Sequence, residues 1–229
     1  MKDTENAATN AVAYLRKNKA DIPLDLFMRA VKIGAWKASG DLGGIGSQYN
    51  DSIIDAIIKY FDGGSLAASR NQFKRAAVEA FGSAVDLGWT DGGNEPPLDD
   101  EILTWFNARL NEEMGYIDML FEQMKALKKE PEFDYFTWAT ERANGYTGTL
   151  REVYNYAYLA SKRDMMVTFD GDDGKESCPD CQKYKGKRHR VSWFIARDAV
   201  PPYGSGLECH RGGKCQHGLR NDAGDWVTV

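Results

Sequence analysis

The chain has 229 residues, carries a formal net charge of −5 and is 28% charged, 42% hydrophobic and 12% aromatic. That length accommodates one large domain or two smaller ones with a core of their own, and the balance of aromatics, glycine and proline excludes a disordered or fibrous chain. No apolar run approaches the ~18 residues of a membrane span, so no membrane association is expected.

Residues 1–164 read as a helical body. Asn6 to Lys19 is a modest amphipathic candidate. Ile22 to Ser39 places Pro23 in its first turn and Leu24, Phe27, Met28, Val31 and Ala35 on one face. Gly40 to Asn50 reads as a glycine-rich break, not as a phosphate loop, because the G-x-x-x-x-G-K-[ST] pattern is missing. With Asp51 as N-cap, Ile53, Ile54, Ile57, Ile58 and Phe61 then form an i, i+4 stripe. Gly63-Gly64 stops that helix and Ser65 can cap the next, which runs to about Leu87 with Phe73, Ala77, Ala80, Phe81 and Ala84 buried. Trp89 to Pro97 is expected as a loop.

The longest helix is predicted over Asp99–Lys129, with a stripe of Leu103, Phe106, Leu110, Met114, Ile117, Phe121, Met124 and Leu127. Phe133 to about Arg163 is helical again, with a break expected at Gly145 or Gly148. Its many aromatics at helical spacing point to core packing ahead of a stacking surface for bases. From Met165 the character changes. Met165–Phe169 is a short strand candidate, Asp170-Gly-Asp-Asp-Gly174 a turn, and Val191–Ile195 and Trp226–Val229 are further strand candidates. The fold class expected is therefore mainly α, a helical body over 1–164 followed by a small, loop-rich α+β module over 165–229.

All four cysteines lie in that module, as Cys178-Pro-Asp-Cys181 and, after 27 residues, Cys209-His210-Arg-Gly-Gly-Lys-Cys215-Gln-His217. Two close ligands on one knuckle and two or more on another suit a tetrahedral structural zinc. The expected ligands of one Zn2+ are Cys178, Cys181, Cys209 and Cys215, with His217 substituting for Cys209. Two disulfides or a Cys-x-x-Cys redox pair are the alternative readings. The opening Met1-Lys-Asp-Thr-Glu-Asn has no apolar stretch of a secretory leader; intracellular folding is the expectation, and it favours metal. From Lys175 to Arg220 there are ten Lys/Arg against four Asp/Glu, a net +6, which leaves −11 for the rest. A basic module on an acidic body suggests a polyanionic partner, or simply exposed lysines and cations that offset zinc thiolates.

Several features occur in order: Arg142-Ala-Asn-Gly-Tyr146 in a helix, a strand ending in Asp-Gly-Asp, Cys178-Pro-x-Cys181, Lys185-Gly186, Pro201-Pro202 and a closing Cys/His cluster. In that order, over about residues 142–219, the chain resembles the C-terminal region of tailed-phage head morphogenesis proteins, the minor head proteins of the Mu type. Where that pattern closes on Cys-x-Cys, this chain has Cys215-Gln-His217. The resemblance implies a virion structural protein, present in few copies near the portal, with portal or capsid proteins as partners and a virion location reached through the host cytoplasm.

Three functions follow as expectations. The first is an assembly protein whose helical body docks on a portal or capsid component. The second is a nucleic-acid-binding zinc module, with DNA met through Lys183, Lys185, Lys187, Arg188 and Arg190 around Tyr184. The third, a zinc hydrolase, is disfavoured. The ligand set reads as closed, there is no His-Glu-x-x-His helix, and all three histidines lie in the cysteine-rich segment. The chain is accordingly not expected to be an enzyme.

Overall fold

The fold is described from a computed structural model, which describes residues 41–95, 97–171, 179–201 and 217–228. The two helices expected before residue 40 lie outside those residues.

The first described helix, α1, spans Leu42–Phe61. Its N-cap is Asp41, whose carboxylate accepts from the Gly44 amide at 2.7 Å. The glycine-rich stretch 42–46 is thus the first turn of a helix, against the break expected there. A capped N-terminus tolerates glycine, and Gly46 has a packing reason: a Cβ there would sit 3.2 Å from the Thr147 side chain. Ile53 and Ile57 are fully buried as their spacing required. The helix stops at Gly63, with φ +102°, and Gly64, whose amide returns to the Lys59 carbonyl at 2.8 Å. That left-handed reversal is where glycine has no steric cost.

Helix α2 spans Leu66–Asp91 and carries the expected Phe73, Ala77, Ala80, Phe81 and Ala84 inward. It runs past Leu87, through the stretch expected to begin a loop, because Trp89 is still buried and its indole donates to the Glu95 carbonyl at 3.0 Å. Helix α3, Asp100–Leu127, is capped by Asp99, which accepts from the Ile102 amide at 2.7 Å. Helix α4, Tyr135–Ala160, passes through Gly145 and Gly148 without the expected break. Its buried face, including Ala139, Ala143, Leu150, Val153 and Ala157, is continuous across both, so packing overrides the local cost of glycine.

The four helices alternate in direction. Gly46 lies against Thr147 and Phe61 stacks on Tyr135, so α1 and α4 are antiparallel. Phe73 meets Tyr146 while Gly88 meets Tyr154, so α2 and α4 are parallel. At Gly88 the approach is closest: a Cβ would fall 2.3 Å from the Tyr154 carbonyl oxygen. Helices α3 and α4 meet mainly where Trp105 stacks on Tyr156, with ring centroids 3.7 Å apart and planes within 2°. Beyond that stack they diverge.

A small antiparallel sheet follows. Strand β1, Met166–Gly171, is central, flanked by β2, Arg188–Arg190, and β3, His217–Asn221. Short helices α5, Pro179–Tyr184, and α6, Val191–Ile195, cover it. Val191–Ile195 is thus helical where a strand was expected; the strand is the preceding Arg188–Arg190. Val191 and Phe194 are both fully buried and three residues apart, which fits a helical turn better than alternation. Trp226 forms only an isolated bridge to Arg220. Val167, Phe169, Tyr184, Val191, Phe194 and Leu219 form a second core that includes Leu159 at the end of α4. The Asn155 amide donates to the Pro201 carbonyl at 3.1 Å, and the Ser192 amide to that of Arg163 at 3.0 Å. The described residues are therefore mainly helical with a small open sheet, and none of their helices is long and apolar enough to cross a membrane.

Candidate functional site

Of the five expected metal ligands, Cys181 and His217 are described; Cys178, Cys209 and Cys215, with the neighbouring His210, lie outside the described residues. Cys181 sits on α5 and is 1% exposed. Helix α5 is held to the sheet by its own turn. Gly186, with φ +73°, donates to the Phe169 carbonyl at 2.8 Å, and the Phe169 amide to that of Lys187 at 3.0 Å. His217 opens β3, and its Cα partner is Gly171, the last residue of β1.

Phe169 connects the two. Its ring centroid is 5.8 Å from that of Tyr184 on α5 and 5.8 Å from the His217 imidazole. Covalent geometry then places the other donors within limits. Cys178 precedes the first residue of α5 and Cys215 lies two residues before His217, so their Cα atoms are within about 4 and 7 Å of those anchors. Thiolate and imidazole are the donors zinc takes. Among the described residues, however, no group of three or more His, Cys, Asp or Glu could hold a metal ion; a site would need the donors beyond them. His189 is placed differently: it stacks on Trp193 at 3.9 Å and 11°.

The cations of the basic stretch are engaged within the module. Arg188 forks onto Asp222 at 2.7 and 3.1 Å, Arg190 pairs with Asp164, and Arg220 meets Asp170 at 3.0 Å. Others lie on aromatic faces: Arg197 is 4.0 Å above Trp193, Arg220 3.9 Å above Trp226, and Lys187 5.3 Å from the Tyr184 ring centre.

The sequence reading missed a second constellation. Where α3 and α4 diverge they leave a groove of about 560 Å³, walled by Tyr116, Met119 and Leu120 from α3 and by Gly145 and Tyr146 from α4. At one end Arg109, 11% exposed, meets three carboxylates: Glu152 at 3.1 Å, Glu113 at 3.3 Å and Glu112 at 3.5 Å. Glu113 and Glu152 are buried. Burial raises Glu113 to about 7 and Glu152 to about 8, because desolvation outweighs the attraction of a guanidinium that must serve both. The signal was present. Glu113 stands three residues after Leu110 and four before Ile117, on the stripe itself, where Met114 was taken instead.

No family model, no curated protein and no solved structure matches this chain.

Proposed function

We propose that the protein is a structural, assembly component of a tailed-phage virion, a minor head or portal-associated protein. Its bundle docks on a portal or capsid component, and its C-terminal module is stapled by one structural zinc. Cys178, Cys181, Cys209 and Cys215 would hold the ion, with His217 taking the place of Cys209. Bound there, zinc supplies a covalent-strength cross-link between two chain segments and no reactive position.

The observation that carries the stapling is the placement of Cys181 and His217 on either side of Phe169. It brings the two donor-bearing segments to one end of the sheet. The assembly role rests on the motif order between Arg142 and Leu219. Mass spectrometry of purified particles from the source tests it: this protein is expected at low copy beside the portal, and its absence from particles would remove the reading.

A second reading, a nucleic-acid-binding module, is favoured by the cations lying over Tyr184, Trp193 and Trp226, since aromatic faces interleaved with Arg and Lys suit single-stranded backbones and bases. Its test is the salt dependence of DNA binding by the full chain, with a steep negative slope expected.

A further inference from the structure

The α3–α4 groove ends on a carboxylate that the protein only half satisfies. Glu113 is 1% exposed; its Oε2 accepts from Arg109 at 3.3 Å, while its buried Oε1 has no hydrogen-bond partner in the protein. The nearby Tyr49 hydroxyl, also buried, has no partner either. One guanidinium faces three carboxylates there, so the floor carries net negative charge whenever they ionise. Arg142, on the rim, lies 5.3 Å from the Trp138 ring centre. A buried carboxylate oxygen in want of a donor, within a negatively biased pocket, is complementary to a cation.

The geometry narrows the cation. A guanidinium prefers to fork onto both oxygens of a carboxylate, and Oε2 is already taken by Arg109. A divalent metal requires several oxygen ligands, which the described residues do not assemble. An ammonium needs one acceptor and tolerates aromatic neighbours. The walls are Tyr116, Met119, Leu120 and Tyr146, and a Cβ on Gly145 would meet nothing within 4 Å. The volume is within the usual range of small-molecule sites.

We propose that this groove binds a primary aliphatic ammonium, which donates to Glu113 Oε1 and lays its alkyl chain along Met119, Leu120 and Tyr146. The site is independent of the zinc module and of any role in a virion. Binding would favour ionised Glu113 and so strengthen from pH 6 to pH 8. The charged and titratable groups facing that carboxyl are Arg109 and Glu112 on α3, Tyr49 on α1 and Tyr146 on α4, with Glu152 reached through Arg109.

The test is a titration of the full chain, methyl-labelled at methionine, with n-butylammonium chloride, followed by NMR. A saturable shift of the Met119 methyl is expected. Tetramethylammonium, which has no N–H, should bind at least about tenfold more weakly, because the bond to Oε1 is lost. Glu113→Gln should weaken butylammonium binding by at least about tenfold. Gly145→Leu, which fills the groove from α4 and raises helix propensity, should abolish it, and it decides the matter if Glu113→Gln does not fold. Nα-acetyl-lysine methylamide distinguishes the source: binding tighter than butylammonium assigns the site to a partner's lysine, weaker binding to a free amine. No saturable shift, equal affinity for tetramethylammonium, or binding untouched by Gly145→Leu would overturn the proposal.

Discussion

Arg109 Nε donates to Glu152 Oε2 at 3.1 Å, joining α3 to α4 just beyond the Trp105–Tyr156 stack and closing one end of the groove. Because the same guanidinium also serves buried Glu113, charge state and stability are linked there. Both carboxyls have folded values, about 7 and about 8, above the ordinary 4.5. In the window between, the folded state holds protons that the unfolded state has released. Their contribution is therefore fully present below about pH 4.5 and lost as pH rises through 7 to 8. The melting midpoint is expected to fall by on the order of 5 °C between pH 5.5 and pH 8.5, each kcal/mol moving it by about 2–4 °C at this size. Glu152→Gln should flatten that slope; calorimetry across the range checks both.

Removing the cation isolates both carboxylates. Arg109→Leu is expected to destabilise the bundle by about 3 kcal/mol at pH 8.5, the order seen when one member of a buried pair is deleted. At pH 5.5, where the two acids are largely neutral in the fold, the cost should be much smaller. Urea denaturation at the two pH values measures the difference.

Two glycines of similar sequence context should behave oppositely. Gly88→Ala would put a methyl 2.3 Å from the Tyr154 carbonyl, forcing α2 and α4 apart. A loss of about 1–3 kcal/mol is expected despite better helix propensity. At Gly145 the same change meets nothing within 4 Å and should stabilise by up to about 1 kcal/mol. Denaturant midpoints of the two variants test the assigned packing.

How much of this could be read from the sequence depended on the interaction involved. Apolar periodicity placed α1 to α4, and Asp99 and Gly63-Gly64 marked boundaries, because helix faces and caps are local. The unbroken passage of α4 through Gly145 and Gly148 was not legible, since it is decided by contacts with α1 and α2. Val191–Ile195 was misread because a five-residue apolar run fits either period until its partners are known. The groove escaped because Glu113 and Glu152 are 39 positions apart in sequence and meet only through Arg109. For the metal, the sequence supplied a donor set; the fold adds the relation of Cys181 and His217 across Phe169.

Chelation should separate the two cores. The bundle has its own buried apolar residues, while the module rests on a short list around Phe169, Phe194 and Leu219. Treatment with a strong chelator, or Cys181→Ser, is expected to expose the chain to protease beyond about Arg163 and leave most of the far-UV helical signal. Loss of helicity in step with cleavage would show that the two are not separable.

The zinc staple is tested most directly by elemental analysis of the full chain purified without added metal, with native thiols titrated in parallel. About one equivalent of zinc per chain, released together with the cysteine thiols by chelator and lost in Cys181→Ser, is the expected result. Metal-free protein whose four thiols titrate freely in the native state would contradict it.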